Sequence, residues 1–206
     1  MATTQTAGDK TPRTERGRRT LRKLLDAAAT EFADKGFHEA SISGITRSAG
    51  VALGTFYTYF DSKDAIFRAL VSDMSTGVAQ AAREALDPAM GSLEVERVAL
   101  RAFLAFAAEH KEIYRIIDEA EFVDPQSYRM HYETIGSRIE DRLKAGGESG
   151  ALSAGLGAPE AWALMGMNVF LGLRYVIWAR EGDPDFDEIA RRANDLLACG
   201  IAAKGS

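Results

Sequence analysis

Apolar residues recur every three or four positions in one segment after another, the period of helices that bury one face. Leu21, Leu24, Leu25, Ala28 and Phe32 predict a first helix starting at Gly17 and ended by Gly36, with Phe37 packing back as a plug. Ser41 is placed to N-cap a short helix to about Ser48 that buries Ile42, Ile45 and Ala49. Gly50 follows where the chain must turn, and a left-handed C-cap is cheap only for glycine. Val51 re-enters the core and a second short helix spans Leu53 to Tyr59, with Phe56 and Phe60 facing inward at i, i+4 spacing. Asp61 and Asp64 cap a longer helix from near Ser62 to Leu86, and Ser92 caps another from Leu93 to Glu109. Helices are expected from Lys111 to Phe122, from Pro125 to Lys144, from Pro159 to Arg180 and from Phe186 to Ala203, with a loop over residues 146–157. The fold class is all-α.

The stretch from Ser41 to Lys63 is a helix, a short turn containing glycine and a second helix. That is the arrangement that lays one helix in the DNA major groove. The second helix carries Thr55, Tyr57, Thr58 and Tyr59, with Lys63 just beyond, and these hydroxyl, phenol and ammonium groups suit phosphates and base edges. The segment AGVALGTFYTYFDSKDAIF closely resembles the DNA-binding domain of the tetracycline-repressor (TetR) family, and the resemblance covers roughly Gly17 to Val71. Many members carry a polar or basic residue where this chain has Ala52 and Leu53, so Leu53 offers contact with a thymine methyl instead of a hydrogen bond. The resemblance implies a first helix whose basic end, with Arg18 and Arg19, touches phosphates together with Ser41. It implies a motif surface that includes Leu53 and Gly54, and a dimer formed through the last two helices. Thr55 and Tyr57 are then the candidates for base-edge contact, and Thr58, Tyr59 and Lys63 for phosphates.

Charge fits this division. The net charge of −5 alone argues against a nucleic-acid partner. Residues 1–70, however, hold 11 Lys and Arg against 8 Asp and Glu, whereas residues 71–206 hold 14 against 22. A basic end on an acidic body steers DNA to one pole. The expected organisation is a disordered basic arm over residues 1–15, a helix-turn-helix domain over 16–62, and a ligand-binding and dimerisation domain over 63–206. Cys199 is the only cysteine, which excludes an intrachain disulfide and suits a reducing cytoplasm. The first residues show no secretory signal, and the longest apolar run, Ala161 to Leu173, is too short to span a membrane.

The second half gathers large side chains: Phe103, Phe106, Tyr114, Tyr128, Tyr132, Trp162, Met165, Phe170, Tyr175 and Trp178. They fill an ordinary core or line an apolar effector cavity with a few polar anchors. Asn168 and Arg174 interrupt an otherwise apolar helix and, with His131, are the candidate anchors. Arg174 suggests an anionic group, hence a hydrophobic acid or an acyl thioester. The acids Asp118, Glu119, Glu121 and Asp124 read as a solvated face. The three histidines are scattered without metal-ligand spacing, so neither a metal, a cofactor nor an enzyme is expected. The chain therefore reads as a homodimer that binds a pseudo-palindromic double-stranded operator and is released by a small-molecule effector. The alternatives are a DNA-binding protein without an effector and a helical enzyme or binding module.

Overall fold

The computed structural model describes residue 10 and residues 12–201, so most of the expected basic arm lies outside the described residues. Every regular element described is helical: α1 (Glu15–Glu39), α2 (Ile42–Ala49), α3 (Leu53–Tyr59), α4 (Lys63–Ala85), α5 (Ser92–Glu109), α6 (Glu112–Val123), α7 (Pro125–Glu148), α8 (Ala158–Gly172), a π-helical turn (Leu173–Ile177) and α9 (Phe186–Ile201). None of them is long and apolar enough to cross a membrane.

Local chemistry sets the boundaries. Ser41 Oγ accepts from Gly44 N at 3.0 Å and starts α2. Gly50, at φ 67°, closes it by donating to the Arg47 carbonyl, while Val51 N donates to Thr46 O. Before α4 the cap is Ser62, whose hydroxyl accepts from Ala65 N at 3.1 Å, and not Asp61, which lies one residue too early to reach that amide. Likewise Gly91 caps α5, and Ser92 is already its first residue. The helix expected to run to Arg180 changes from α to π at Gly172 and ends at Ile177. Tyr114 of α6 packs there: its hydroxyl donates to Val169 O at 2.9 Å, and a Cβ at position 172 would lie 2.0 Å from that hydroxyl oxygen. Val169 O still accepts from Leu173 N, so the ladder passes unbroken into the π turn.

One apolar core joins α1, α2, α3 and α4 around the fully buried Phe32, Phe56 and Phe67, each worth about 2–3 kcal/mol of burial. It continues without a gap into Ile113, Ile116 and Ile117 of α6. A second cluster packs Leu100 and Leu104 of α5 on Ile189 and Ala190 of α9, and a third packs Ile139 and Leu143 of α7 on Leu164 and Met165 of α8. Thus α4 and α6 both run from the core of the first three helices into the remaining bundle.

Candidate functional site

The small helical head presents α3 outward. Phe56 and Phe60 are buried, which leaves Leu53, Gly54, Tyr57 and Thr58 exposed and Thr55 and Tyr59 half-buried. Leu53 and Tyr57, four residues apart, are 52% and 49% exposed, so two large side chains stand in solvent on a helix only 7 residues long. A Cβ built on Gly54 meets nothing within 4 Å, so no contact inside the chain requires glycine there. Glu31, buried at 8% exposure, braces the neighbouring α2 by accepting from Ser41 N at 3.2 Å and Lys35 at 2.8 Å. Burial alone would raise its carboxyl, but Lys35, the Ser41 amide and Arg47 outweigh that and hold it below the usual range. Its carboxylate also occupies the space over Gly44, where a Cβ would lie 2.1 Å from Oε1.

The second feature is a cavity of about 290 Å³ enclosed by α4, α5, α6, α7 and the end of α8. Its wall is apolar except for Asp118, Tyr114, Tyr128, His131 and Tyr132. It shares Tyr128, Tyr132, Val169 and Phe170 with an outer chamber of about 630 Å³ that also touches Glu121, Arg129, Trp162 and Met165. A smaller compartment beside it, sharing Val78, Phe103, Ile135 and Val169, is bordered by Met165 and Asn168. Asn168 Oδ1 is buried there without a hydrogen-bond partner. His131 Nδ1 lies 2.6 Å from Ser75 Oγ, whose single proton goes to Val71 O at 2.8 Å. Nδ1 therefore carries the hydrogen, and Nε2 is left as an acceptor.

Burial pushes His131 down to about 4, against 6.5 for the free side chain. The unfolded chain therefore binds more protons across that window, and the stability His131 contributes is intact above about pH 6.5 and declines as pH falls towards 4. Between pH 7 and pH 5 the wild type is expected to lose about 2 kcal/mol that a His131→Gln variant keeps. Urea midpoints at the two pH values measure the difference.

Three comparisons bear on this pair of features. Residues 24–70 match the model of the bacterial regulatory proteins of the tetR family. Over 198 residues the chain is 30% identical to the HTH-type transcriptional regulator YdgC of Bacillus subtilis, an alignment covering 93% of this chain and 97% of that one. The chain belongs to the TetR family of transcriptional regulators. This TetR-family regulator is also 24% identical to the HTH-type transcriptional repressor KstR2 of Rhodococcus jostii over 91% of its own length and 92% of the relative's. The fold agrees with that of FadR from Bacillus subtilis, solved in complex with stearoyl-CoA, at a TM-score of 0.74 and 20% identity over 87% of this chain and 98% of that one.

The structure of the regulator redistributes several candidate residues. Lys63, expected at a phosphate, instead points inward: Nζ donates to Phe37 O, His38 O and Ala40 O at 2.6, 3.0 and 2.9 Å and lies 4.6 Å from the Phe37 ring centre. All three of its hydrogens are used within the chain. Arg18 pairs with Glu15, whereas Arg19 forms no ion pair among the described residues. Arg174 is not on the cavity wall. Its guanidinium holds Asp183 by two 2.8 Å hydrogen bonds and stacks on Tyr175, so neither residue faces the cavity. Phe106 packs instead over Gly77 and beside His110. Phe103, Tyr128, His131 and Tyr132 do meet at the cavity, Trp162 and Met165 at the outer chamber, and Asn168 at the small compartment.

On the head the exposed Arg47 adds a cation not foreseen, and Lys10 of the basic arm donates to Tyr57 O at 2.9 Å and pairs with Asp61. At the cavity α6 forms a wall in which Tyr114 was expected and Ile113, Ile117 and Asp118 were not. A helical-wheel reading of Tyr114, Ile117 and Asp118 at i, i+3, i+4 would have put that acid on the apolar face.

Proposed function

We propose that the regulator is a homodimeric repressor whose two α3 helices enter successive major grooves of a pseudo-palindromic operator, roughly 34–36 Å apart. The exposed Leu53–Tyr57 face of α3 carries this reading, with Thr55 and Tyr57 reading base edges. Arg18, Arg19, Ser41, Thr58 and Tyr59 hold phosphates. Trp162 and Phe170 of α8, Trp178 just after the π turn and Leu196 of α9, all at least 48% exposed, support dimerisation through the last two helices. The working division remains a head over 16–62 and a ligand-binding, dimerising body over 63–206, and the cytoplasm is its compartment.

In this reading a small-molecule effector with an apolar body occupies the cavity. Helix α6 offers the route to the head. One side carries Tyr114, Ile117 and Asp118 at the cavity, while Arg115 donates to Ala33 O and Glu119 accepts from Phe37 N at 2.8 Å on α1. An effector releases DNA only as far as it binds the released arrangement more tightly. With Arg174 engaged by Asp183, an acyl thioester has lost its proposed anchor, and its remaining support is the stearoyl-CoA bound by FadR.

Fluorescence anisotropy on DNA flanking the regulator's own gene, against scrambled DNA at matched salt, tests operator recognition. Tyr57→Ala is expected to cost about tenfold on the specific duplex, near 1.4 kcal/mol, and little on the scrambled one. Equal losses on both would mean that Tyr57 only touches backbone. Gly54→Ala separates stability from binding. It is expected to raise unfolding free energy by ~0.5–1 kcal/mol, because α3 gains helix propensity in open space, yet to weaken operator binding where DNA comes close. Tighter binding by that variant would remove Gly54 from the interface.

A further inference from the structure

We propose that the effector is a cationic amphiphile, an apolar chain ending in a protonated amine. The inference rests on the cavity being the effector site and concerns the chemistry of that site.

The polar groups around the cavity are mostly hydrogen-bond acceptors without a donor. Asp118 sits exposed at its mouth with its carboxyl raised above the usual range, by partial burial first and by neighbouring Glu121 second. Neither carboxylate forms an ion pair among the described residues. Tyr114 spends its proton on Val169 O and faces the cavity with lone pairs. His131 is neutral with Nε2 unprotonated, since its Nδ1 hydrogen goes to Ser75. In the adjoining compartment Asn168 Oδ1 is buried and unpartnered, out of reach of the acidic pair. A buried acceptor needs a donor, and the donors on the wall are the Tyr128 and Tyr132 hydroxyls alone.

No Lys or Arg lines the main cavity. Of the arginines near its extensions, Arg142 is taken by Glu96 through two bonds of 2.6 and 2.8 Å, and Arg129 and Arg138 are exposed. Tyr128 and Tyr132 meet edge to face at 5.1 Å, and aromatic faces attract a cation. An ammonium group supplies hydrogens to these acceptors and offsets the two carboxylates. A carboxylate would add a third negative charge beside them and leave the acceptors unmet. The apolar remainder of a 290 Å³ cavity suits a medium-length alkyl chain.

Calorimetric titration of the full-length regulator at pH 7 with decylammonium, decanol, decanoate and decanoyl-CoA, each below its micelle concentration, separates the classes. Decylammonium is expected to bind at least tenfold more tightly than decanoate, with decanol between them. Asp118→Asn should bring decylammonium down to the level of decanol and leave decanol itself unchanged, and Asp118→Glu should restore the preference. Tighter binding of decanoate or decanoyl-CoA overturns the cationic class while leaving the cavity as the effector site, and an amine preference that survives Asp118→Asn overturns the assignment of the ammonium to Asp118. No binding by any of the four overturns the class and the effector reading together.

Discussion

Arg142→Met is expected to lower the unfolding free energy by about 3–5 kcal/mol. Arg142 of α7 grips both oxygens of Glu96 of α5, at 2.6 and 2.8 Å, and Glu96 is only 3% exposed. The pair costs desolvation on both sides and recovers it through the fork of two parallel bonds. Removing the arginine leaves a carboxylate inside the bundle with no cation to face. The opposite change tests that reasoning: Glu96→Leu combined with Arg142→Met should recover most of the loss, because an apolar pair of similar volume pays no desolvation. Urea unfolding of the single and double variants measures both. A loss under 1 kcal/mol in the single variant would mean that water or another group reaches Glu96. Both residues lie far along the chain from α3, so the folded fraction of the variant should keep its operator affinity.

The head was legible where a boundary is set by a residue that acts on nearby backbone, as at Ser41 and Gly50. Ser41 and Gly50 reach no further than three or four residues, so a reader of the chain can see cause and effect together. The burial of Phe56 and Phe60 and the exposure of Tyr57 follow from helical spacing alone. Where a partner came from elsewhere in the chain, the reading missed it. Glu31 is ten residues from the amide it caps, beyond the reach of a local pattern. The hydroxyl that seats on Val169 O near the end of α8 belongs to Tyr114, 55 residues away. Arg174 looked like an orphan charge in an apolar helix, and its counter-ion Asp183 lay nine residues on, across the π turn that brings the two together.

The cavity shows the same limit in another form. Its aromatic residues were named from size and grouping, which is enough to find Tyr128 and Tyr132 but not to separate them from Phe106, packed over Gly77, or Tyr175, beneath Arg174. Which face of α6 turns inward depends on both α1 and α7 packing against it, and periodicity in α6 alone does not state that. Asp118 was grouped with its acidic neighbours as a solvated face, yet Glu119 braces α1 and Asp118 faces the cavity. Adjacent acids on a helix point about 100° apart, so two of them do different work.

Lys63→Met is expected to destabilise the regulator by about 3 kcal/mol and to leave the salt dependence of DNA binding unchanged. The ammonium sits where the chain leaves α1, past the positive-φ Gly36, and three carbonyls converge on it: Phe37, His38 and Ala40. These oxygens point off the end of a helix, where partial negative charge gathers, so a cation there is favoured twice over. Methionine keeps the apolar stem over the Phe37 ring but leaves the carbonyls without a donor. Arginine should not rescue it, because a planar fork cannot aim three hydrogens at one point as an ammonium does. The DNA measurement decides between this role and phosphate contact. A lysine neutralising one phosphate contributes about 0.9 to the slope of log affinity against log salt. Its removal would flatten that slope by nearly one, with little change in the urea midpoint. A lower midpoint at an unchanged slope assigns Lys63 to holding α1, α2 and α4 together, and so to setting the angle at which α3 is presented.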